Sequence, residues 1–307
     1  MRHSLLSVLR IIVLLPSYTL VLLIRLLKWL IAPLALLAQL LIGVPLVLMQ
    51  LRQPLRPRFI ATPETDLPDQ AWIEFADAAE ALAADGFVHY GDFHCDSVIQ
   101  NAVLWLRLLG QPEQGISAVV VHIEFTTGVR PARSFVEFAT EFSDGRVLST
   151  NNLTMPYSLP SPAYLARLQL KDVWEPRALY VLHRELVTAL AQPVSLAKIE
   201  QAIRDPADLL ANGYAREIAA LIAQGWLRPD PANPCAAQLS LQGAIMGSGG
   251  KRGRWPVCIC APLTAAPAGC WPNTASLRKL LRAQPRIFGH SAHTDGSHAD
   301  LHRTGKL

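Results

Sequence analysis

Hydrophobic and polar positions follow three successive patterns along the chain. The first 50 residues are almost continuously apolar, the middle block mixes helical with two-residue spacing, and the last 61 residues keep no sustained apolar periodicity. These patterns predict an α+β protein: a transmembrane helical hairpin, an antiparallel sheet domain with flanking helices, and a disordered tail. The predicted boundaries are 1–58, 60–246 and 247–307.

The N-terminal prediction depends on two apolar runs. Trp29 to Met49 contains 21 residues and no charged side chain, and about 20 apolar residues in a helix cross a hydrocarbon core of roughly 30 Å. An earlier run reaches spanning length if Arg10 extends toward the lipid headgroups. The sequence therefore predicts spans at 5–24 and 29–49, with one span plus an interfacial helix as the alternative.

The middle block is predicted to open with a helix and to continue as a sheet. The helix begins near Asp69 and ends before Asp85-Gly86, since Trp72, Phe75 and Ala79 recur at helical spacing. Four strands follow without a helical pattern between them, which favours an antiparallel meander. The predicted strands are Phe87–Phe93, Ala102–Leu109, Ile116–Thr126 and Ser134–Phe142.

The clearest hairpin signal lies between Ser134 and Asn152. Apolar and polar residues alternate up to Phe142, and Asp144-Gly145 supplies the positive φ values of a tight turn. Further on, helices are predicted to start at Pro176 and Pro206, with a short helix at 195–204 between them. The segments GWLR and QLSLQGA are predicted to pair as two short strands.

A resemblance rests on the hairpin segment FATEFSDGRVLSTNN, which ends at Asn152, together with the upstream apolar runs. This combination resembles bacterial membrane-anchored proteins that are known only as uncharacterised. The resemblance covers about the first four fifths of the chain. It implies a location in the cell envelope, at the bacterial inner membrane, and it implies no catalytic residues.

Charge divides the chain into the same three blocks. Residues 1–59 contain seven Lys or Arg and no acid, residues 60–246 contain 12 basic and 22 acidic side chains, and residues 247–307 contain nine basic and two acidic ones. The acidic middle block disfavours nucleic-acid binding. The basic residues Arg52, Arg56 and Arg58 predict that the following domain faces the cytoplasm, whereas a single span would slightly reverse this bias.

Four residues are candidate metal ligands, and no cofactor is otherwise expected. On a strand, His122 and Glu124 share a face and can meet His89 or His94 across the sheet, which offers the mixed nitrogen and oxygen ligands that zinc accepts. The alternative is an ordinary wet sheet face beside a polar turn. Asn151 and Asn152 are candidate ligand-binding amides, with local turn formation as the alternative.

Three other patterns suggest chemistry less specifically. The spacing of Ser195 and Lys198 matches an S-x-x-K pattern, but Ser195 also fits a helix cap. Cysteines and histidines after Gly247 include zinc-ligand types without a zinc-finger spacing. The helix after Pro206 and the strands after it have a winged-helix outline, but Arg216 is its only basic residue.

Two classes of function are compatible with these patterns. The first is a membrane-anchored accessory or interaction protein with a cytoplasmic α+β domain, whose partners are the lipid bilayer and a protein that the sequence does not identify. The alternative is a membrane-attached enzyme, such as a hydrolase, whose site is assembled only by folding. Convergent polar side chains in a closed cleft would favour the enzyme, and a shallow surface would favour the interaction protein.

Overall fold

The computed structural model describes residues 22–249 except residues 30, 32, 35, 36, 129 and 191–203. This part of the chain contains one antiparallel sheet, one mixed sheet, helical residues at 22–29, 31, 33, 34, 37 and 38, and the α-helices from residue 44 onward. Those α-helices are α1 Val44–Gln50, α2 Asp69–Ala83, α3 Pro176–Leu190, α4 Pro206–Ala223 and α5 Leu241–Gly249. The strands are β1 Arg52–Pro54, β2 Ile60–Ala61, β3 Val88–Cys95, β4 Ala102–Gln111, β5 Ile116–Phe125, β6 Arg133–Glu141, β7 Val147–Asn151, β8 Leu165–Gln169, β9 Leu227–Asp230 and β10 Asn233–Leu239.

The main sheet has seven strands in the order β2-β3-β4-β5-β6-β7-β8. Every neighbouring pair from β2 to β7 is antiparallel, which confirms the predicted meander. The turn is found at the predicted place, since Gly145 has a φ of 82° and its N–H donates to Phe142 O, but Asp144 does not have the positive φ that was predicted for it. Strand β8 was not predicted, and it pairs parallel to β7.

Helices α2 and α3 cover one face of the main sheet. Helix α2 buries Phe75 and Leu82, which lie about two turns apart, and α3 buries Leu179 and Tyr180. These side chains pack with Phe138 of β6 in one core cluster. Complete burial of each large apolar side chain contributes about 1.5 to 3 kcal/mol, so this layer fixes α2 against the strands beneath it.

The opposite face of the sheet is covered by a second unit built around α4. Leu210 of α4 packs beside Leu106 and Val121 of the main sheet. Strands β1, β10 and β9 form a three-stranded sheet in that order, and α1, α4 and α5 pack on it. The predicted pairing of two strands after α4 is confirmed, but β10 begins at Asn233 and the chain turns into a helix at Leu241.

The predicted transmembrane hairpin at 5–24 and 29–49 is wrong for the part of it that the structure describes; residues 5–21 of the first predicted span lie outside the described residues. Among the described residues, no helix is both long enough and apolar enough to cross a membrane. A π-helical turn at Gln39–Gly43 precedes α1, which is only seven residues long and has Pro45 near its start. In addition, Val44 is buried against the three-stranded sheet unit instead of lying on an outward surface.

The structure also describes parts of the basic segment after α1 and of the C-terminal tail. The basic segment that includes Arg52, Arg56 and Arg58 contains β1, which pairs with β10 from Arg52 to Pro54. Several large apolar side chains before α1 are exposed, including Leu22, Leu23 and Trp29. The tail predicted to start at Gly247 is helical through Gly249, and the rest of it lies outside the described residues.

Candidate functional site

Polar and aromatic side chains form a row across the main sheet on the face that α2 covers. In the strand register His94 lies opposite Trp105, Trp105 opposite His122, and His122 opposite Ser134. Two carboxylates adjoin this row, one from α2 and one from β5. We call the following residues the polar shelf: Glu74, His94, Trp105, His122, Glu124 and Ser134.

His122 is a nearly buried imidazole of the polar shelf, and one of its ring nitrogens contacts two other shelf residues. Its side chain is 4% exposed, and its Nδ1 lies 2.9 Å from Glu74 Oε2 and 2.8 Å from Ser134 Oγ. Ser134 Oγ also donates a hydrogen bond to Glu74 Oε2. Because a carboxylate only accepts, the single hydroxyl hydrogen of Ser134 goes to Glu74. His122 Nδ1 must therefore carry its own hydrogen, and in the neutral imidazole Nε2, at the far end of the ring, has the lone pair.

The protonation of Glu74 supports this assignment. Burial by itself would raise the pKa of the Glu74 carboxyl, but hydrogen bonds from Ser134, Gln70 and His122 outweigh burial. The pKa of Glu74 is consequently below its usual range, so the group is an ionised acceptor at neutral pH. A carboxylate that accepts the Nδ1 hydrogen fixes the tautomer and the orientation of an imidazole.

Trp105 occupies the middle of the polar shelf. Its indole Nε1 donates to Glu124 Oε2 at 3.2 Å, and the His94 ring lies 5.4 Å from the Trp105 ring between centroids. His94 in turn bonds Thr62 Oγ1 through Nδ1 at 2.8 Å. The indole is half-buried, while Glu124 is exposed. These contacts hold an aromatic ring and a carboxylate together at the surface.

The structure does not bring the four predicted metal ligands together. His94, His122 and Glu124 share the polar shelf, but Trp105 separates the two histidines, whose Cα atoms are two strand spacings or about 10 Å apart. His89 lies elsewhere and bonds Asp92 Oδ1 at 3.1 Å. Within the described ranges, no three His, Cys, Asp or Glu side chains are placed to hold a metal ion.

A buried ion pair lies beside the polar shelf and links the sheet to α2. Arg107 donates to both carboxylate oxygens of Asp92, each at 2.8 Å, and also to Glu64 Oε1 at 3.0 Å. Glu64 Oε1 accepts a further hydrogen bond from the indole of Trp72 at 3.1 Å. Burial would raise the pKa of Asp92, but hydrogen bonds from Arg107 and His89 lower it overall. This chain of contacts runs from a buried carboxylate to a surface tryptophan.

Asn151 and Asn152 are both buried at the end of β7, where their amides hold the following loop. Asn152 Oδ1 accepts from Val136 N at 2.8 Å, and its Nδ2 donates to Val173 O at 3.1 Å. Asn151 Nδ2 donates to Tyr157 Oη at 2.9 Å. Both side chains thus have partners inside the fold. Asn151 Oδ1 also accepts from Leu153 N at 3.3 Å, which is the local turn bond of the alternative, whereas the partners of Asn152 lie 16 and 21 positions away.

A second polar cluster occupies the opposite sheet face, beneath α4. Arg167 of β8 pairs with Glu217 of α4 at 2.8 Å and lies 4.1 Å from the ring centroid of Tyr157. Among the described residues, its Nε is the only buried side-chain nitrogen or oxygen without a hydrogen bond. This cluster joins α4 to the sheet.

The remaining sequence candidates do not form a site in the described part of the chain. Arg216 of α4 bonds Glu141 at 3.1 Å and Gly145 O at 2.5 Å, so the basic residue of the winged-helix outline faces the main sheet. A groove of about 570 Å³ between α2, α3 and the β4–β5 turn is lined by other residues, including Glu113 and Tyr180. Ser195, Lys198 and the C-terminal cysteines lie outside the described residues.

Sequence reasoning missed Glu74, Trp105, Ser134 and Trp72 as members of one surface. Trp105 belongs to a predicted strand, and Glu74 lies on the polar side of a predicted helix, so each looked ordinary by itself. The strand register places Trp105 and Ser134 in one row, and side-chain hydrogen bonds join Glu74 to that row and Trp72 to Glu64 beside it.

Comparisons with protein-family models, with curated proteins and with solved structures found no match for this chain. The resemblance to uncharacterised membrane-anchored proteins therefore stays a hypothesis that rests on the sequence. Function has to be argued from the contacts of the polar shelf and of α2.

Proposed function

We propose that the protein is an accessory protein that binds a basic segment of a partner protein through the outer face of α2. The observation that carries this proposal is the state of Trp72. Its side chain is 45% exposed, yet its indole is held by Glu64, which is tied to the buried pair of Arg107 and Asp92. An exposed tryptophan that is already oriented loses little conformational entropy when a partner covers it.

The chemistry around Trp72 supports a basic partner. Between Ile60 and Leu106 the sequence has nine acidic residues and no Lys or Arg. On α2, Asp69, Asp77 and Glu80 are exposed beside Trp72 and Ile73, and Ile73 is itself 46% exposed. Complementary charge accelerates association and sets its specificity, while the apolar residues contribute the buried area.

Hydrolysis is the competing function, because Ser134, His122 and Glu74 are the residue types of a catalytic triad. In such a triad the serine and the carboxylate contact different nitrogens of the imidazole. Here both contact His122 Nδ1, and the serine hydrogen bonds the carboxylate. Ser134 is therefore not activated by His122, and the network serves to orient the imidazole.

Site-specific photocrosslinking tests the proposal. A benzophenone amino acid replaces Ile73 in one variant and Trp174, a 66% exposed residue outside α2, in the control variant. In cells that produce the chain, we expect a protein adduct from position 73 that is absent from position 174, with the crosslinked segment rich in Lys and Arg. The triple change Asp69→Lys, Asp77→Lys, Glu80→Lys should reduce that adduct at least about tenfold.

Three results would contradict this function. They are no adduct from position 73, identical adducts from positions 73 and 174, and adducts with lipid alone. If the adduct still forms after the triple charge reversal, α2 is a binding surface, but its partner segment is not basic.

A further inference from the structure

We infer that the polar shelf binds a cationic side chain of the partner, a guanidinium or an ammonium group with several N–H donors. This inference rests on the proposed function and names the group that the partner inserts beside α2. The two surfaces adjoin each other, because Glu74 of α2 is itself a shelf residue and lies one position from Ile73.

The ligand class follows from the hydrogen-bonding capacity of the shelf. In the neutral imidazole, His122 Nε2 has a lone pair, because Nδ1 carries the single ring hydrogen. Glu124 uses Oε2 to accept from Trp105, which leaves its Oε1 as a second acceptor. The ring of Trp105 adds a negative π face, which attracts cations. Acceptors and a π face are complementary to a positively charged donor and not to a phosphate or a carboxylate.

The second observation is that His122 Nε2 has no hydrogen-bond partner among the described residues, although the His122 side chain is only 4% exposed. In the part of the chain that the structure describes, Arg167 Nε is the only fully buried side-chain nitrogen or oxygen without a hydrogen bond, so His122 Nε2 is not fully enclosed by the chain. Nearly buried polar atoms normally have a partner, and here a ligand can supply it.

The chain itself supplies no cation at this position. Within the described residues, no Lys or Arg side chain bonds a shelf residue; nearby Arg107 binds Asp92 and Glu64, and Arg133 binds Thr154. The exposed carboxylate of Glu124 therefore has the indole of Trp105 as its only partner there. His122 and Glu124 lie two positions apart on one face of β5, about 7 Å along the strand. A guanidinium has donors that diverge in one plane, so one such group is suited to two neighbouring acceptors.

The test uses the full-length chain with isotopically labelled histidine nitrogens, which are observed by NMR while one of two small probes is added. Acetyl-arginine amide carries the guanidinium, and acetyl-citrulline amide is its neutral isostere. We expect arginine amide to shift the His122 Nε2 resonance with a dissociation constant on the order of 1 mM, and citrulline amide to bind at least about fivefold more weakly. Glu124→Gln and His122→Ala should each weaken arginine binding about tenfold. The control Glu113→Gln removes an equal charge from the distant groove and should change binding less than about twofold.

The outcomes separate the site from the proposed function. Equal shifts with both probes, or arginine binding unaffected by Glu124→Gln, would overturn the cation site. If crosslinks form at position 73 while arginine fails to bind, the interaction surface stands and the shelf inference falls. If arginine binds as expected while position 73 gives no adduct, the proposed function falls and the shelf is a site for a free cation.

Discussion

Replacement of Arg107 by Met is expected to lower the free energy of unfolding by about 3 to 5 kcal/mol. The substitution leaves the Asp92 carboxylate, which is 3% exposed, without its two hydrogen bonds from Arg107. Leaving one member of a buried ion pair in place is costly because its charge stays desolvated and uncompensated. Urea unfolding, followed by circular dichroism, measures the loss as a shift in the transition midpoint.

Two further variants make this prediction specific. Arg56→Met removes an ion pair with Asp208 in which both side chains are about half exposed, and it should cost less than about 1 kcal/mol. The double variant Asp92→Leu, Arg107→Met removes both buried charges and should recover most of the stability lost in Arg107→Met. A double variant that is less stable than Arg107→Met would show that the ion pair is not the cause.

Acidification is expected to destabilise the wild-type protein more than a His183→Gln variant. His183 is completely buried between two hydroxyls, with Nε2 3.0 Å from Thr140 Oγ1 and Nδ1 2.9 Å from Thr150 Oγ1. Burial lowers the pKa of His183 to about 3. A neutral imidazole has one donor and one acceptor, which suits one hydroxyl on each side.

The direction of the pH effect follows from proton linkage. The unfolded chain binds a proton at His183 below about pH 6.5, while the folded protein does not bind it until about pH 3. The stability due to neutral His183 is therefore complete above pH 6.5 and declines as the pH falls, by up to about 1.4 kcal/mol per pH unit. Between pH 6.5 and 4.5 the wild type should lose roughly 2 kcal/mol more than His183→Gln.

Glutamine keeps a donor and an acceptor at this position without titrating, so the comparison isolates the imidazole. Asp and Glu residues titrate in both proteins and cancel in the difference. Parallel unfolding curves for wild type and His183→Gln across this range would refute the account.

Local features of the fold follow from the sequence by itself. The alternation through β6, the positive φ at Gly145 and the apolar stripe of α3 are confirmed. The stripe predicted for α2 is only partly right, because Phe75 is buried whereas Trp72 is 45% exposed. Each depends on residues within about four positions of one another, where helical and strand periodicities express burial on one side. The antiparallel meander follows as well, because short connections between strands favour adjacent pairing.

Pairings between distant segments were decided only in three dimensions. Strand β1 joins β10 across most of the chain, and β8 lies parallel to β7 after a long connection. The charge-free run at 29–49 predicted a spanning helix, but hydropathy does not report whether a helix continues unbroken through a segment such as Gln39–Gly43. Burial of Val44 against α4 depends on residues more than 150 positions away.

The candidate site illustrates the same division. Sequence spacing identified His94, His122 and Glu124 as residues of one sheet face, which the register confirms. It could not identify Trp105 as the residue between the histidines, or Glu74 as the partner of His122, since these contacts join segments 17 to 48 residues apart. Short-range patterns determine which side of a strand or helix is polar, whereas packing of the whole core determines which polar sides meet.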